Sequence, residues 1–398
     1  MAALLKKIWE RAESLWPVQG FFFDRPLLIL QSDDWGRAGL RDREGFEQLR
    51  AAGLELGEQP YDLYTLETAE DLGALSQVLK RHRDATGRPA VCVMNFITAN
   101  LDFAKMAESG SEKIRLRALA DGLPDGWNRP GLLEAYREGI AAGVFYAALH
   151  GTTHFCRSAV EAQAGAGSER GRLLRTLWTA GIPYIHWRMP WIGYEYWNPE
   201  RVENEQFLSG SEQVELIGAG VGLFARMFST VPRSACAPGY RSNAATARAW
   251  AQYGVRCAQN GPGKLTPPHF DRSLILQLYR TLDFEPAVDA GFSMDACVER
   301  AEQCFREGIP AIVSMHAINF HSTVRDFRSR SLEALDQFLS ALETRHPEML
   351  YVHDEDVLHL IETGAYEGST ARTPVLVRKQ NGRRGRWTAR VEGPQQEG

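Results

Sequence analysis

The chain has 398 residues, 44 % of them hydrophobic and 24 % charged, with a formal net charge of −5. That composition is of an ordinary globular protein with material for a large core, and the slightly acidic balance argues against nucleic acid as the main partner. No repeat, low-complexity tract or run near the ~20 apolar residues of a membrane span occurs.

Residues 1–20, MAALLKKIWERAESLWPVQG, are charged throughout and lack the apolar region of a secretory signal. Leu4, Leu5, Ile8, Trp9 and Leu15 place one apolar stripe on an amphipathic helix, docked on the domain or in peripheral contact with a membrane. Residues 21–365 read as one α/β domain. Strands are expected at Leu27–Gln31, Ala90–Phe96, Val144–Leu149, Val255–Ala258, Leu274–Tyr279, Ile309–Met315 and Met349–His353. Helices are expected at Glu67–Arg83, Pro130–Ala142, Ser242–Tyr253, Met294–Gly308 and Ser329–Arg345, several opening near Ser, Thr or Asn and stopping at Gly. Such alternation predicts a parallel sheet, closed as a barrel or doubly wound.

Two regions break the rhythm. Residues 183–199 form an aromatic-rich insertion with Tyr184, Trp187, Trp191, Tyr194, Tyr196 and Trp197, suited to stacking on sugar rings or to burial under a lid. Residues 366–398 are basic and predict a small β-hairpin, with strands at Val375–Lys379 and Arg386–Val391 around an Asn381-Gly382 turn. Cysteines 92, 156, 236, 257, 297 and 304 form no CxxC pair; with no export signal they read as reduced thiols, and the expected location is cytoplasmic.

The residues with chemistry follow the apolar runs. Asp33 and Asp34 follow LLILQS, His150 follows VFYAAL and His316 follows AIVSM, at carboxyl ends of strands where α/β folds collect functional groups. Adjacent aspartates on a strand point to opposite sides, and bringing both to one place costs like-charge repulsion unless a cation or proton compensates. His150 and His154 stand four apart, which on a helical turn lets both share a metal; two satisfied core histidines are the ordinary alternative.

These motifs, with the Pro238-Gly239-Tyr240 turn and the late SMH at His316, occur in the chain order of the polysaccharide deacetylase (NodB-homology, carbohydrate esterase 4-like) superfamily, which residues 25–360 resemble. The resemblance implies a distorted (β/α) barrel of about seven parallel strands. It also implies Asp34, His150 and His154 as ligands of one divalent ion. Zn²⁺ is the default for that set, and Co²⁺, Ni²⁺ and Mn²⁺ also suit it. Asp33 is then the general base, the turn at Tyr240 the oxyanion support, and His316 the general acid. Hydrolysis of an acyl group on a sugar, sugar conjugate or related small amide follows. Trp35, Trp187, Trp191, Pro238 and His321 complete the substrate-binding candidates, and Asn95 and Asn100 are available for a polar wall.

Two departures stand out. Cys236 occupies the place of the family's base-orienting arginine, and Arg241, after the turn, is the candidate replacement or an anchor for an acidic substrate group. The carboxylate that tunes His316 is Asp283, with Glu285 and Asp289 as rivals. The changed arginine motivates the alternative reading: a catalytically impaired barrel serving as a carbohydrate-binding or assembly module.

Overall fold

The computed structural model describes residues 17–108, 113–165, 167–263, 265–368 and 372–383. The strands that matter are β1 (Pro17–Phe23), β2 (Leu27–Trp35), β3 (Cys92–Ile97), β4 (Phe145–Gly151), β5 (Ser234–Cys236), β6 (Cys257–Asn260), β7 (His269–Phe270), β8 (Leu276–Tyr279), β9 (Leu282–Asp283), β10 (Ala311–His316), β11 (Leu350–Tyr351) and β12 (Val377–Arg383). Parallel pairing runs β9-β10-β2-β3-β4-β5-β6-β8, with β11 beside the start of β2.

The two ends of that series are one stretch of chain. β8 pairs with β6, and Arg280 N–H donates to Asn260 O at 3.1 Å. One residue on, Thr281 N–H donates to Ile312 O at 2.8 Å, and β9 pairs with β10. A single stave, changing partners at Arg280-Thr281, therefore closes the sheet into a barrel of seven parallel staves, as the family resemblance implies. Closure also explains how Arg280 reaches Asp33 on β2, five strand steps away in the open order. At ~4.8 Å per step a flat sheet would separate them by roughly 24 Å.

Helices pack outside the staves. Ala69–Arg81, capped by Thr68, lies beside Leu132–Ala141 and Arg328–Arg345, and Met294–Arg306 packs against the last. Their apolar faces and one face of the staves share a core that includes Leu30, Met94, Val144, Val313, Leu75 and Phe338. Inside the barrel, apolar residues such as Ile29, Val93, Leu278 and Ile312 share the space with polar ones. Asp354, Gln31, Ser234, Gln259 and Asn95 are linked by hydrogen bonds of 2.7–3.1 Å, with a shorter bond from Ser234 to Asp354, ending on Asp33.

Both termini differ from expectation. The stretch predicted as helix to residue 20 is strand from Pro17, and its first sixteen residues lie outside the described ones. No turn forms at Asn381-Gly382: β12 runs through it and pairs antiparallel with β1, Asn381 opposite Gln19. The second hairpin strand, 386–391, lies outside the described residues. No described helix is long and apolar enough to cross a membrane.

Candidate metal centre and active site

The adjacent aspartates share one side because the strand is broken between them. Asp34 has φ +75°, in the left-handed region that Asp tolerates better than most residues, and the β2–β3 register shifts between Ser32 and Trp35. The resulting bulge suspends alternation, so Asp33 and Asp34 both face the mouth of the barrel. His150 arrives on the end of β4. His154 sits in the loop after it, so strand end and loop, not a helical turn, bring the imidazoles together.

Asp34 Oδ1 lies 3.2 Å from His154 Nε2 and 3.6 Å from His150 Nε2. These separations match the roughly 3.4 Å edge of a tetrahedron built on bonds of ~2.1 Å. Asp34 Oδ1 and His150 Nε2 are buried with no hydrogen-bond partner, a cost of about 1–3 kcal/mol per atom that a shared cation removes. The donor chemistry therefore fits a divalent ion. Among the described residues a second trio, Asp33, His150 and Cys236, also converges, but Asp33 is held by an arginine and burial raises the Cys236 thiol well above its usual range. The Asp34 set is the better fit. Burial pushes the Asp34 carboxyl up, while Arg37, 3.5 Å from Oδ2, and the histidines pull it well below the usual carboxylate range.

Both imidazoles are oriented from behind. His150 Nδ1 lies 3.0 Å from Cys236 O, and His154 Nδ1 lies 3.2 Å from His186 Nδ1. Burial pushes His186 down to about 3. The connecting loop is clamped by Glu195, whose Oε1 accepts from Thr152 N–H at 2.9 Å and Thr153 N–H at 3.2 Å. Gly151, at φ +122°, passes so close to that carboxylate that a Cβ would strike it.

Asp33 is gripped by Arg280, Nη1 to Oδ2 at 2.8 Å and Nη2 to Oδ1 at 2.5 Å, and Oδ1 accepts a third bond from Asn95 at 2.7 Å. Burial raises its carboxyl, but Arg280, with His150 and His316, outweighs that and holds it below the ordinary value. His316 is the register partner of Asp33, with Nε2 4.0 Å from Oδ2. Its Nδ1 meets Glu285 Oε1 at 2.6 Å, and Asn319 secures Glu285 Oε2 at 2.6 Å. Burial lowers the imidazole, but Glu285 and Asp33 push it up to about 9.

Several expectations are corrected. The arginine on Asp33 is Arg280; Arg241 instead lies over the Trp197 ring, 4.7 Å from its centroid. The carboxylate on His316 is Glu285, while Asp283 is exposed. Tyr240 N–H closes the turn on Ala237 O at 2.8 Å, so it is not the free donor an oxyanion site needs; the Tyr240 hydroxyl meets Arg280 Nη1 at 2.7 Å. Trp35 is fully buried and stacked on Phe320, a core residue and not a wall of the site. His321 is buried 3.4 Å from Glu67, and Trp191 packs in an apolar cluster with Leu174 and Trp178. Trp187 is half-exposed, its indole N–H donating to Asp62 at 2.9 Å. Pro238 is buried in the turn; Asn100 bonds the backbone of Gly36 and Ala38.

No protein-family model and no curated protein matches the chain. Solved structures similar to it include a probable polysaccharide deacetylase from Pseudomonas aeruginosa PAO1, at 12 % identity over 85 % of this chain and 92 % of that one, TM-score 0.47. A Puue allantoinase matches at 12 % identity over 86 % and 91 %, TM-score 0.44. A family 4 carbohydrate esterase from Streptomyces lividans matches at 13 % identity over 82 % and 92 %, TM-score 0.34. Two of these three neighbours are thus a probable polysaccharide deacetylase and a family 4 carbohydrate esterase.

Proposed function

We propose that the protein is a metal-dependent hydrolase that removes an acyl group, most simply N-acetyl, from a sugar, a sugar conjugate or a related small amide. The observation that carries this reading is the pair of buried, unpartnered ligand atoms, Asp34 Oδ1 and His150 Nε2, beside an arginine-held Asp33 and a glutamate-held His316.

A divalent ion at Asp34, His150 and His154 supplies Lewis acidity toward water and an acyl oxygen when bound. Asp33, kept ionised by Arg280, takes the proton of the attacking water. Its Oδ2 is the oxygen turned to the gap before His316. His316, protonated at neutral pH, gives a proton to the leaving amine as the C–N bond breaks; the acyl carbon keeps the hydroxyl of the water. Glu285 holds the imidazole so that Nε2 faces the reaction and Nδ1 does not.

The insertion aromatics support a compact substrate. Tyr184, Trp191 and Tyr196 are buried, which leaves Trp187, Tyr194 and Trp197 at least partly exposed; Tyr194 lies against His154, and Trp197, with Arg241 across it, lies against Tyr194. The non-catalytic alternative rests on the changed arginine motif, and the bonds from Arg280 to Asp33 support the catalytic reading instead.

Metal analysis combined with a screen of N-acetylated sugars, nucleotide sugars and small amides for released acid or amine tests the reading. About one divalent ion per chain and turnover of at least one amide are expected. A protein that takes up no divalent ion under any loading condition overturns it.

A further inference from the structure

The insertion at 183–199 is suited by composition to stacking on sugar rings or to burial under a lid, and several of its bonds go to the loop that carries His154. His186 meets His154, Glu195 holds Thr152 and Thr153, and Ile192 O accepts from Cys156 N–H at 2.8 Å. Of these contacts, the His154–His186 pair bears directly on a ligand atom.

Two Nδ1 atoms 3.2 Å apart need one proton between them, because facing lone pairs repel and so do facing N–H groups. If the proton belongs to His186, His154 must carry its own on Nε2, the atom turned to Asp34, and is closed to a metal. If it belongs to His154, Nε2 is a free lone pair. We propose that His186 is the outer partner of the metal ligand His154: its Nδ1 accepts the Nδ1–H of His154 and fixes the tautomer and ring plane in which Nε2 can ligate. This inference rests on the metal reading above.

The geometry shows a residue held for this purpose. The His186 ring is stacked on Tyr194, 4.8 Å between centroids and 28° between planes, and crosses His154 at 80°. Tyr194 is itself backed by the Pro238–Tyr240 turn, since a Cβ on Gly239 would run into its ring. The turn thus sets Tyr194, Tyr194 sets His186, and His186 sets His154. His150 receives the equivalent support from Cys236 O. Outer partners of this kind are worth 10–100-fold in metal affinity. His186 is a positioning residue: it reaches the reaction through His154.

The test compares Zn²⁺ affinity, by competition with a chromophoric chelator, in the wild type, His186→Phe and His186→Asn. Phe keeps a ring against Tyr194 but accepts no hydrogen bond; Asn places an amide oxygen near the position of Nδ1. His186→Phe should bind Zn²⁺ roughly 10–100-fold more weakly and His186→Asn within a few-fold of the wild type, with the metal-free proteins melting alike. In the Zn²⁺-loaded wild type, ¹⁵N-edited spectra should show a protected Nδ1–H on His154 that His186→Phe lacks. Wild-type affinity in His186→Phe, equal losses in both variants, or a His154 proton on Nε2 in the loaded wild type overturns the inference alone. A wild type that takes no Zn²⁺ overturns the metal reading along with it.

Discussion

Arg280 and Asp33 form a fully buried fork, two parallel hydrogen bonds between groups far apart in the chain that the closed barrel brings within two staves of each other. Removing one member leaves the other charge stranded, which costs about 3–5 kcal/mol. Arg280→Met is expected to lose that much in urea denaturation. Arg280→Lys should recover part of it, because a lysine restores the charge but not the planar fork. The double variant Asp33→Asn/Arg280→Met should be less destabilised than the sum of its singles. An additive cycle would show that the two charges are not coupled.

The neighbouring aspartates should fail differently. Asp34→Ala and His154→Ala are expected to release the divalent ion, seen by elemental analysis after desalting. Asp33→Asn should retain the ion and lose hydrolysis. Full activity in Asp33→Asn would remove it from the mechanism.

If His316 is the general acid proposed above, activity should have an alkaline limb near pH 9, where it loses its proton. Glu285 is the main cause of that elevation, so Glu285→Gln should move the limb down toward the ordinary histidine value of about 6.5. The same group affects stability with a definite sign. Because its folded value is raised, its contribution is complete below about pH 6.5 and is lost as pH rises through about 9. An alkaline limb that stays in place in Glu285→Gln assigns the limb to another group.

Trp35 follows the aspartates, yet it belongs to the core. Trp35→Ala should cost about 3–5 kcal/mol through the cavity it leaves beside Phe320. The folded fraction should keep the KM of the wild type. A rise in KM at unchanged stability would return Trp35 to the substrate wall.

The strand-end rule that picks out Asp33, His150 and His316 reads the site well because polar groups there have no packing reason to follow an apolar run. The same rule applies to Arg280, directly after the predicted strand Leu274–Tyr279, and is the signal that would have found it. What hid Arg280 is the partner exchange at Arg280-Thr281, a tertiary event with no local mark. The polar interior was equally illegible, since Asn95 interrupts an apolar strand singly and Gln31 and Gln259 stand at the ends of apolar runs with no mark of the partners they meet. The bulge at Asp34 is another case: a positive φ on a non-glycine residue is imposed by its surroundings and leaves no trace in composition. Asp283 against Glu285 is a difference of two residues at the end of a two-residue strand, below the resolution of periodicity.

The exchange of partners at Arg280-Thr281 joins two properties in one stave. The stave that seals the barrel also carries the arginine that grips Asp33, the proposed base, so opening the seam would release that carboxylate. Hydrogen exchange at Thr281 and at Phe284, whose amides bridge to the opposite edge, would therefore report catalytic competence as directly as any assay. Inactivation on heating should begin as an unzipping along this line, ahead of the melting of the helices outside it.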